Sequence, residues 1–150
     1  MRTYENTREN YRKTIRVNPE GEGLEAAMLA TQSAQLLKRY FGYDSFKSGQ
    51  EEVIANLLQG RDTLAVMPTG AGKSVCYQLP AAMLPGLTLV ISPLISLMKD
   101  QVDSLQQAGI ASTYINSTLT PDELRARLRG MREGRYTLVY IAPERLESER

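Results

Sequence analysis

A chain of 150 residues has room for one domain with its own core, and 42 % apolar against 23 % charged residues is an ordinary soluble balance. Lys and Arg total 18 against 17 Asp and Glu, a net charge of +1, so any contact with nucleic acid has to come from local clustering of basic residues rather than from a global field. The absence of histidine excludes His-based acid–base and metal chemistry, the single Cys76 excludes an internal disulfide, and no apolar run approaches the roughly 20 residues that cross a bilayer. The start, Met-Arg-Thr-Tyr-Glu-Asn, has no apolar signal core, so a cytoplasmic location is the expectation.

Residues 1–22 are polar and charged and run into Asn18-Pro19-Glu20-Gly21-Glu22-Gly23, the composition of a loose tail. Tyr4 and Tyr11 stand among Arg2, Arg8, Arg12, Lys13 and Arg16, which suits either an untied terminus or a basic arm that touches nucleic acid. From residue 23 on the chain reads as one domain. A helix ends near Tyr40-Phe41 with Gly42 as its stop, and a second starts near Gly49, carries Val53, Ile54, Leu57 and Leu58 on one face, and ends at Gly60. Leu64-Ala65-Val66-Met67 reads as a short buried strand leading into a glycine loop, and a helix runs from Lys73 to about Ala82.

The alternation continues with a strand at Leu87 to Ile91, a helix from Leu94 to Gln107 stopped by Gly109, and a strand at Ala111 to Ile115. Thr120, Pro121 and Glu123 form the start of the next helix as N-cap, first helical residue and capping-box partner. That helix reaches about Met131, and Leu138 to Ile141 is the last strand. Continuous apolar strands separated by helices imply an α/β fold, a parallel sheet with helices on both faces.

The most specific chemistry lies in Pro68-Thr69-Gly70-Ala71-Gly72-Lys73-Ser74. Gly70 and Gly72 lack a Cβ, so backbone N–H groups can turn inward around phosphate oxygens, and the helix that follows points its positive end at the same oxygens. Lys73 can reach the β and γ phosphates of a nucleoside triphosphate, and the Ser74 hydroxyl is placed to hold Mg²⁺. Met67 stands where the general phosphate-loop pattern has its first glycine; the Pro-Thr-Gly-x-Gly-Lys-Ser form is the version typical of helicases. Cys76, one turn into the helix, suits either a reactive thiol at a helix N-terminus or a small buried side chain.

Four blocks of sequence resemble the RecQ family of DNA helicases: Phe41 to Glu51 (FGYDSFKSGQE), Val66 to Gln78 (VMPTGAGKSVCYQ), Ser92 to Val102 (SPLISLMKDQV) and Tyr140 to Leu146 (YIAPERL). The first and third are specific to that family. The resemblance implies the N-terminal RecA-like lobe of an ATP-dependent motor that unwinds DNA 3′ to 5′. It also implies that Tyr43 stacks on adenine, that Gln50 hydrogen-bonds the base edge, and that position 47 packs on the base. Lys47 stands where the family has arginine and Ser48 where it has proline; a lysine lacks the flat guanidinium face, so stacking should weaken. The nucleotide site then comprises Tyr43, Lys47, Gln50 and Met67 through Ser74, with ATP and Mg²⁺ as cofactors.

The same resemblance assigns single-stranded DNA, and partly duplex DNA beyond it, to Ser92, Pro93 and Ser96, with Lys99, Gln101 and Arg145 as further contacts. Hydroxyls, backbone N–H groups and a helix start suit phosphate oxygens. Lys99 equally suits a solvated helix face, and Asn116-Ser117-Thr118 equally suits a plain turn. Glu144 lies beyond the last strand with Pro143 between, so it is not taken as the acid that holds Mg²⁺. The family carries an Asp-Glu pair, a second motor lobe and often zinc-binding and winged-helix regions downstream of the fourth block. The expectation is therefore an N-terminal part of the motor, incomplete at its C-terminal side, with apolar edges exposed. Two other readings stand beside it. One is a binder of ATP or DNA without turnover. The other is an unrelated kinase or GTPase, against which stands the lack of the guanine-reading Asn-Lys-x-Asp.

Overall fold

The computed structural model of this chain describes residues 22–146, with side chains from residue 26 onward. The basic N-terminal segment with Tyr4 and Tyr11 lies outside the described residues. Helix α1 spans Glu22–Phe41, α2 Gln50–Leu58 and α3 Lys73–Met83. The expected stop of α1 is present: Gly42 takes a φ of +74°, and its N–H donates to the Lys38 carbonyl at 3.0 Å. These three helices bury Leu37, Ile54, Val75 and Leu79 against one another, with Phe46, Leu58 and Met83 packed around them. The phosphate loop is the connection into α3, so this cluster is what anchors its far end.

The second half alternates strand and helix: β1 Thr88–Ile91, α4 Ile95–Gln107, β2 Ser112–Ile115, α5 Pro121–Arg132 and β3 Leu138–Ile141, followed by a 3₁₀ turn at Pro143–Arg145. The strands form a parallel sheet in the order β1-β3-β2, with Ile141 level with both Ile91 and Ile115. The last strand in sequence is therefore the central one in space. Side chains alternate across it. Leu138 and Tyr140 face Met98, Val102 and Leu105 of α4 together with Ala81 of α3. Val139 and Ile141 face the other way, where with Ile115 they meet Leu124 and Met131 of α5 and Tyr136. Both faces of β3 are thus covered, and each aliphatic side chain so buried contributes about 1.5–3 kcal/mol.

Helix α5 begins as its sequence predicts. The Thr120 hydroxyl accepts from the Glu123 N–H at 3.3 Å, and the Glu123 carboxylate accepts from the Thr120 N–H at 2.8 Å. Arg127 ties this helix to β2: its guanidinium lies 4.1 Å from the Tyr114 ring centroid, and Nη1 donates to the Tyr114 carbonyl at 2.7 Å. A Cβ on Gly130 would stand 2.7 Å from the Tyr136 ring, so only glycine allows that ring its place against α5.

The strand expected at Leu64–Met67 is not formed. Residues 61–68 carry no regular structure, and Leu64 and Val66 are 92 % and 90 % exposed. A strand is made by its hydrogen-bonding neighbours, and among the described residues none runs alongside this one. The sheet edge shows the same condition in part. Leu89 and Ile91 of β1 share the face of Val139 and Ile141, yet they are 51 % and 61 % exposed because α5 covers β2 and β3 and stops short of β1. The expectation of exposed apolar edges is met at these two places.

Candidate nucleotide and nucleic-acid site

The loop from Pro68 to Ser74 turns on two glycines in the left-handed region, Gly70 at φ +82° and Gly72 at φ +77°. The Ala71 N–H bends back to the Pro68 carbonyl at 3.3 Å, which tightens the turn. Lys73 opens α3, and its ammonium folds over the loop, donating to the carbonyls of Pro68 at 3.0 Å and Met67 at 3.3 Å. The first turn of a helix presents N–H groups without intrahelical acceptors, together with the positive end of the helix dipole. The loop therefore offers an exposed lysine and a helix N-terminus at one place. Thr69 and Pro68 are exposed along the same stretch, while Ala71 and Ser74 are half-buried.

Cys76 lies behind this loop, buried, with Sγ 3.8 Å from the sulfur of Met67. Burial pushes its thiol above the ordinary range, and the hydrogen bond at its own backbone offsets this only in part. Of the two readings of Cys76, the structure supports the small buried side chain.

The block that precedes α2 converges on the same loop. Lys47 Nζ donates to the Gly70 carbonyl at 3.0 Å. Gln50, 2 % exposed, accepts from the Lys47 N–H at 2.8 Å and donates to the carbonyls of Gly72 at 3.0 Å and Ala71 at 3.3 Å. Both ends of the Gln50 amide are thus engaged within the chain, where they fix the loop's carbonyl side. A Cβ at Gly72 would collide with the Gln50 amide nitrogen. Tyr43 is 49 % exposed, its ring open to solvent at the entrance to this block.

Most of the residues expected to meet nucleic acid stand beyond the C-terminal ends of the strands. Because the strands are parallel and level at Ile91, Ile141 and Ile115, the loops that follow them emerge on one edge of the sheet. Ser92 is tied there through its N–H to the Ile141 carbonyl at 3.1 Å, and its hydroxyl accepts from the Leu94 N–H at 3.2 Å. Pro93 and Ser96 are exposed beside it. Lys99 is a solvated residue of α4, 4.0 Å from the Asp103 carboxylate. Arg145 sits half-buried in the 3₁₀ turn after β3. Asn116 is a turn residue: 2 % exposed, its side-chain carbonyl accepts from the Thr118 N–H at 3.1 Å and the Thr118 hydroxyl at 2.8 Å.

Gln101, expected as a further nucleic-acid contact, is half-buried in α4. It turns inward, where its carbonyl oxygen accepts from Gln78 Nε2 at 2.9 Å; the same nitrogen donates to the Tyr140 hydroxyl at 2.9 Å, and Tyr77 and Tyr140 bring their hydroxyls to 3.3 Å. Burial, with the Tyr77 hydroxyl adding to it, raises the Tyr140 phenol far above its usual range, so it is a neutral hydroxyl. This cluster links α3, α4 and β3. The sequence signal for it is a glutamine one turn after Ser74 on the buried face of α3 and one tyrosine in an otherwise aliphatic strand. Neither carries meaning until the other is placed beside it.

A cavity of about 120 Å³ is lined by Ser74 and Ser92 together with Tyr77, Leu94, Leu97, Met98, Gln101 and Tyr140. The phosphate loop and the Ser92 loop thus share one crevice. Among the described residues no group of three or more His, Cys, Asp or Glu side chains is arranged to hold a metal ion. Mg²⁺ keeps several waters and commonly uses substrate phosphates with one or two protein ligands. The donor set here, the Ser74 hydroxyl in the first turn of α3 beside the glycine loop, fits an ion carried by a nucleotide rather than one caged by protein.

Comparison with known proteins agrees with this geometry. The family described as DEAD/DEAH box helicase matches residues 47–150. The chain is 57 % identical over 118 residues to the ATP-dependent DNA helicase RecQ of Bacillus subtilis, covering 78 % of this chain and 20 % of that protein. It is 53 % identical over 111 residues to the RecQ of Haemophilus influenzae, covering 74 % and 18 %. It thus spans about a fifth of the length of these curated relatives. In structure it is similar to a hypothetical ATP-dependent RNA helicase from Sulfolobus tokodaii, with a TM-score of 0.64 over 77 % of this chain and 35 % of the other, at 22 % identity, a likeness of fold. The chain belongs to the DEAD/DEAH box helicase family, and its matched residues are those of the N-terminal RecA-like lobe of the RecQ branch.

Proposed function

We propose that this chain binds ATP in the phosphate loop and, in the intact protein, is the ATP-binding front part of a cytoplasmic motor that unwinds DNA 3′ to 5′. The observation that carries the reading is the convergence of two separate segments on one loop: Lys47 and Gln50 hold the carbonyls of Gly70, Ala71 and Gly72, while Lys73 leaves the same loop as the first residue of α3. Carbonyls fixed on one side leave the N–H side of the loop for phosphate oxygens. Lys73 exchanges its contacts with Pro68 and Met67 for the β and γ phosphates and offsets the charge that develops there. Bound Mg²⁺ would neutralise phosphate charge with Ser74 as its protein ligand. Tyr43 supplies a ring face for the adenine, and Lys47 lies at the mouth of that site.

Single-stranded DNA follows the sheet edge at Ser92, Pro93 and Ser96, with Lys99 and Arg145 as further phosphate partners. Hydroxyls and a helix start make contacts that are independent of base sequence, as a motor requires. Relatives 57 % and 53 % identical to this chain over the matched residues are ATP-dependent DNA helicases. The test is a titration with a fluorescent ATP analogue in Mg²⁺, competed with ATP and then GTP, beside Lys73→Ala. Displacement by ATP far better than by GTP, and loss of binding in Lys73→Ala, is the expected result. Equal displacement by GTP, or undiminished binding by Lys73→Ala, would overturn the reading.

A further inference from the structure

Helix α3 carries Ser74 in its first turn and Gln78 four residues on, hence on the same face one turn deeper. Gln78 is 5 % exposed, and its amide nitrogen bridges Gln101 of α4 and Tyr140 of β3, both at 2.9 Å. A side-chain amide has two N–H donors, and both are used here. The Tyr140 hydroxyl, 3.5 Å from Gln101 Oε1 and 3.3 Å from the Tyr77 hydroxyl, has an acceptor for its own proton on either side. Gln78 Nε2, Gln101 Oε1 and the Tyr140 hydroxyl are therefore paired with one another, in surroundings where an unpaired polar group is costly. The Tyr77 and Tyr140 rings also meet edge to face, with centroids 6.3 Å apart.

An apolar side chain at each of these positions would pack helices against a strand as well. What the polar set adds is orientation, because hydrogen bonds of this length admit one relative placement of α3, α4 and β3. The two helices so joined begin at the two halves of the crevice: α3 at Lys73 and Ser74, α4 just after Ser92 and Pro93. A shift of one helix on binding a ligand has to move the other or break the cluster.

We propose that Gln78, Gln101 and Tyr140 are positioning residues that couple occupancy of the phosphate loop to occupancy of the Ser92–Ser96 segment by a sugar-phosphate strand. The proposal rests on the function given above for these two segments. Gln101 and Tyr140 line the crevice behind Ser74 and Ser92, and the role assigned to them runs through the placement of the helices. By linkage, the factor by which the strand changes nucleotide affinity equals the factor by which the nucleotide changes strand affinity.

The 150-residue chain is titrated with a fluorescent ATP analogue and Mg²⁺, without and with saturating single-stranded oligothymidylate, and the titration is then reversed. The unmodified chain is expected to give a coupling factor of about fivefold or more, equal in both directions. Tyr140→Phe keeps the ring and removes only the hydroxyl, and Gln101→Met keeps the length of a half-buried side chain. Each is expected to bring the factor close to one while leaving nucleotide affinity alone within about twofold, less than the ~0.6 kcal/mol of thermal energy. A merely structural role would lower stability and leave the ratio as it is. The proposal is overturned if the unmodified chain binds both ligands independently, or if both variants keep its coupling factor. Nucleotide binding that is equal in the unmodified chain and Lys73→Ala is a different failure, since it removes the phosphate-loop reading and this proposal with it.

Discussion

Leu138–Ile141 and Leu64–Met67 are both four-residue apolar runs that end just before a proline or one residue from it, and they meet opposite fates. The first is the central strand, with every residue buried and Leu138 and Val139 at 0 % exposure. The second forms no ladder and exposes Leu64 and Val66 almost completely. Their composition does not separate them. Their neighbours do: β3 has β1 on one side, β2 on the other, and helices over both faces, whereas no strand of the described residues pairs with 64–67. Hydrophobic stabilisation belongs to area removed from water, so an apolar run acquires it only where other elements remove that area.

The comparison is broken most easily by matched truncations. Leu138→Ala is expected to cost about 2–5 kcal/mol in urea unfolding, and Leu64→Ala no more than about 0.5 kcal/mol. Equal losses would mean that the run at 64–67 is buried in solution and that the contrast is false. A second measurement sharpens the point for the loop. If the loop is held from the side of Gln50 and Lys47 rather than by a strand before it, Gly72→Ala should weaken binding of an ATP analogue on the order of tenfold or more, since a left-handed backbone with a Cβ costs about 1–2 kcal/mol even before the collision with Gln50. Leu64→Ala should leave that affinity within about twofold, a change of less than 0.6 kcal/mol. Loss of affinity in Leu64→Ala as large as in Gly72→Ala would assign the loop's shape to the preceding run instead.

The smallest effect concerns the helix that covers β3. Thr120→Ala removes the N-cap of α5 and is expected to lower stability by about 1 kcal/mol. The partner carboxylate adds a pH signature. Hydrogen bonds from the Thr120 N–H, and then from its hydroxyl, hold the Glu123 carboxyl below its ordinary range. A carboxyl lowered on folding stabilises the fold fully above its unfolded pKa and loses that contribution as pH falls through the folded value. The difference in melting temperature between the unmodified chain and Glu123→Gln should therefore be largest at neutral pH and shrink in acid. A difference that is constant with pH would show that the box does not depend on the charge.

The helices were legible at nearly every boundary because their signals are local. Gly42 and Gly60 stop α1 and α2, Thr120 with Pro121 and Glu123 starts α5, and each works through residues within one turn. The phosphate loop is legible for the same reason, since its glycines, lysine and serine are contiguous. Around it, legibility declines with sequence separation. The resemblance of their block assigns Lys47 and Gln50 to the nucleotide site, yet their bonds to carbonyls more than 20 residues away follow only from how α2 and α3 pack. Gln101 was expected beside Lys99 as a further nucleic-acid contact, and its bonds to Gln78 and Tyr140, 23 and 39 residues away, follow only from the fold.

The sequence by itself determined the helices, the three strands that form and their order, and the glycine loop ahead of α3, because backbone propensity, capping and glycine conformation act over a few residues. Only the tertiary structure decided that the last strand is the central one, that the apolar run at 64–67 stays in water, and that three polar side chains from α3, α4 and β3 meet in the core. Strand order and burial depend on which distant segments supply hydrogen bonds and cover apolar area, and that is a property of the whole packing rather than of any window of residues.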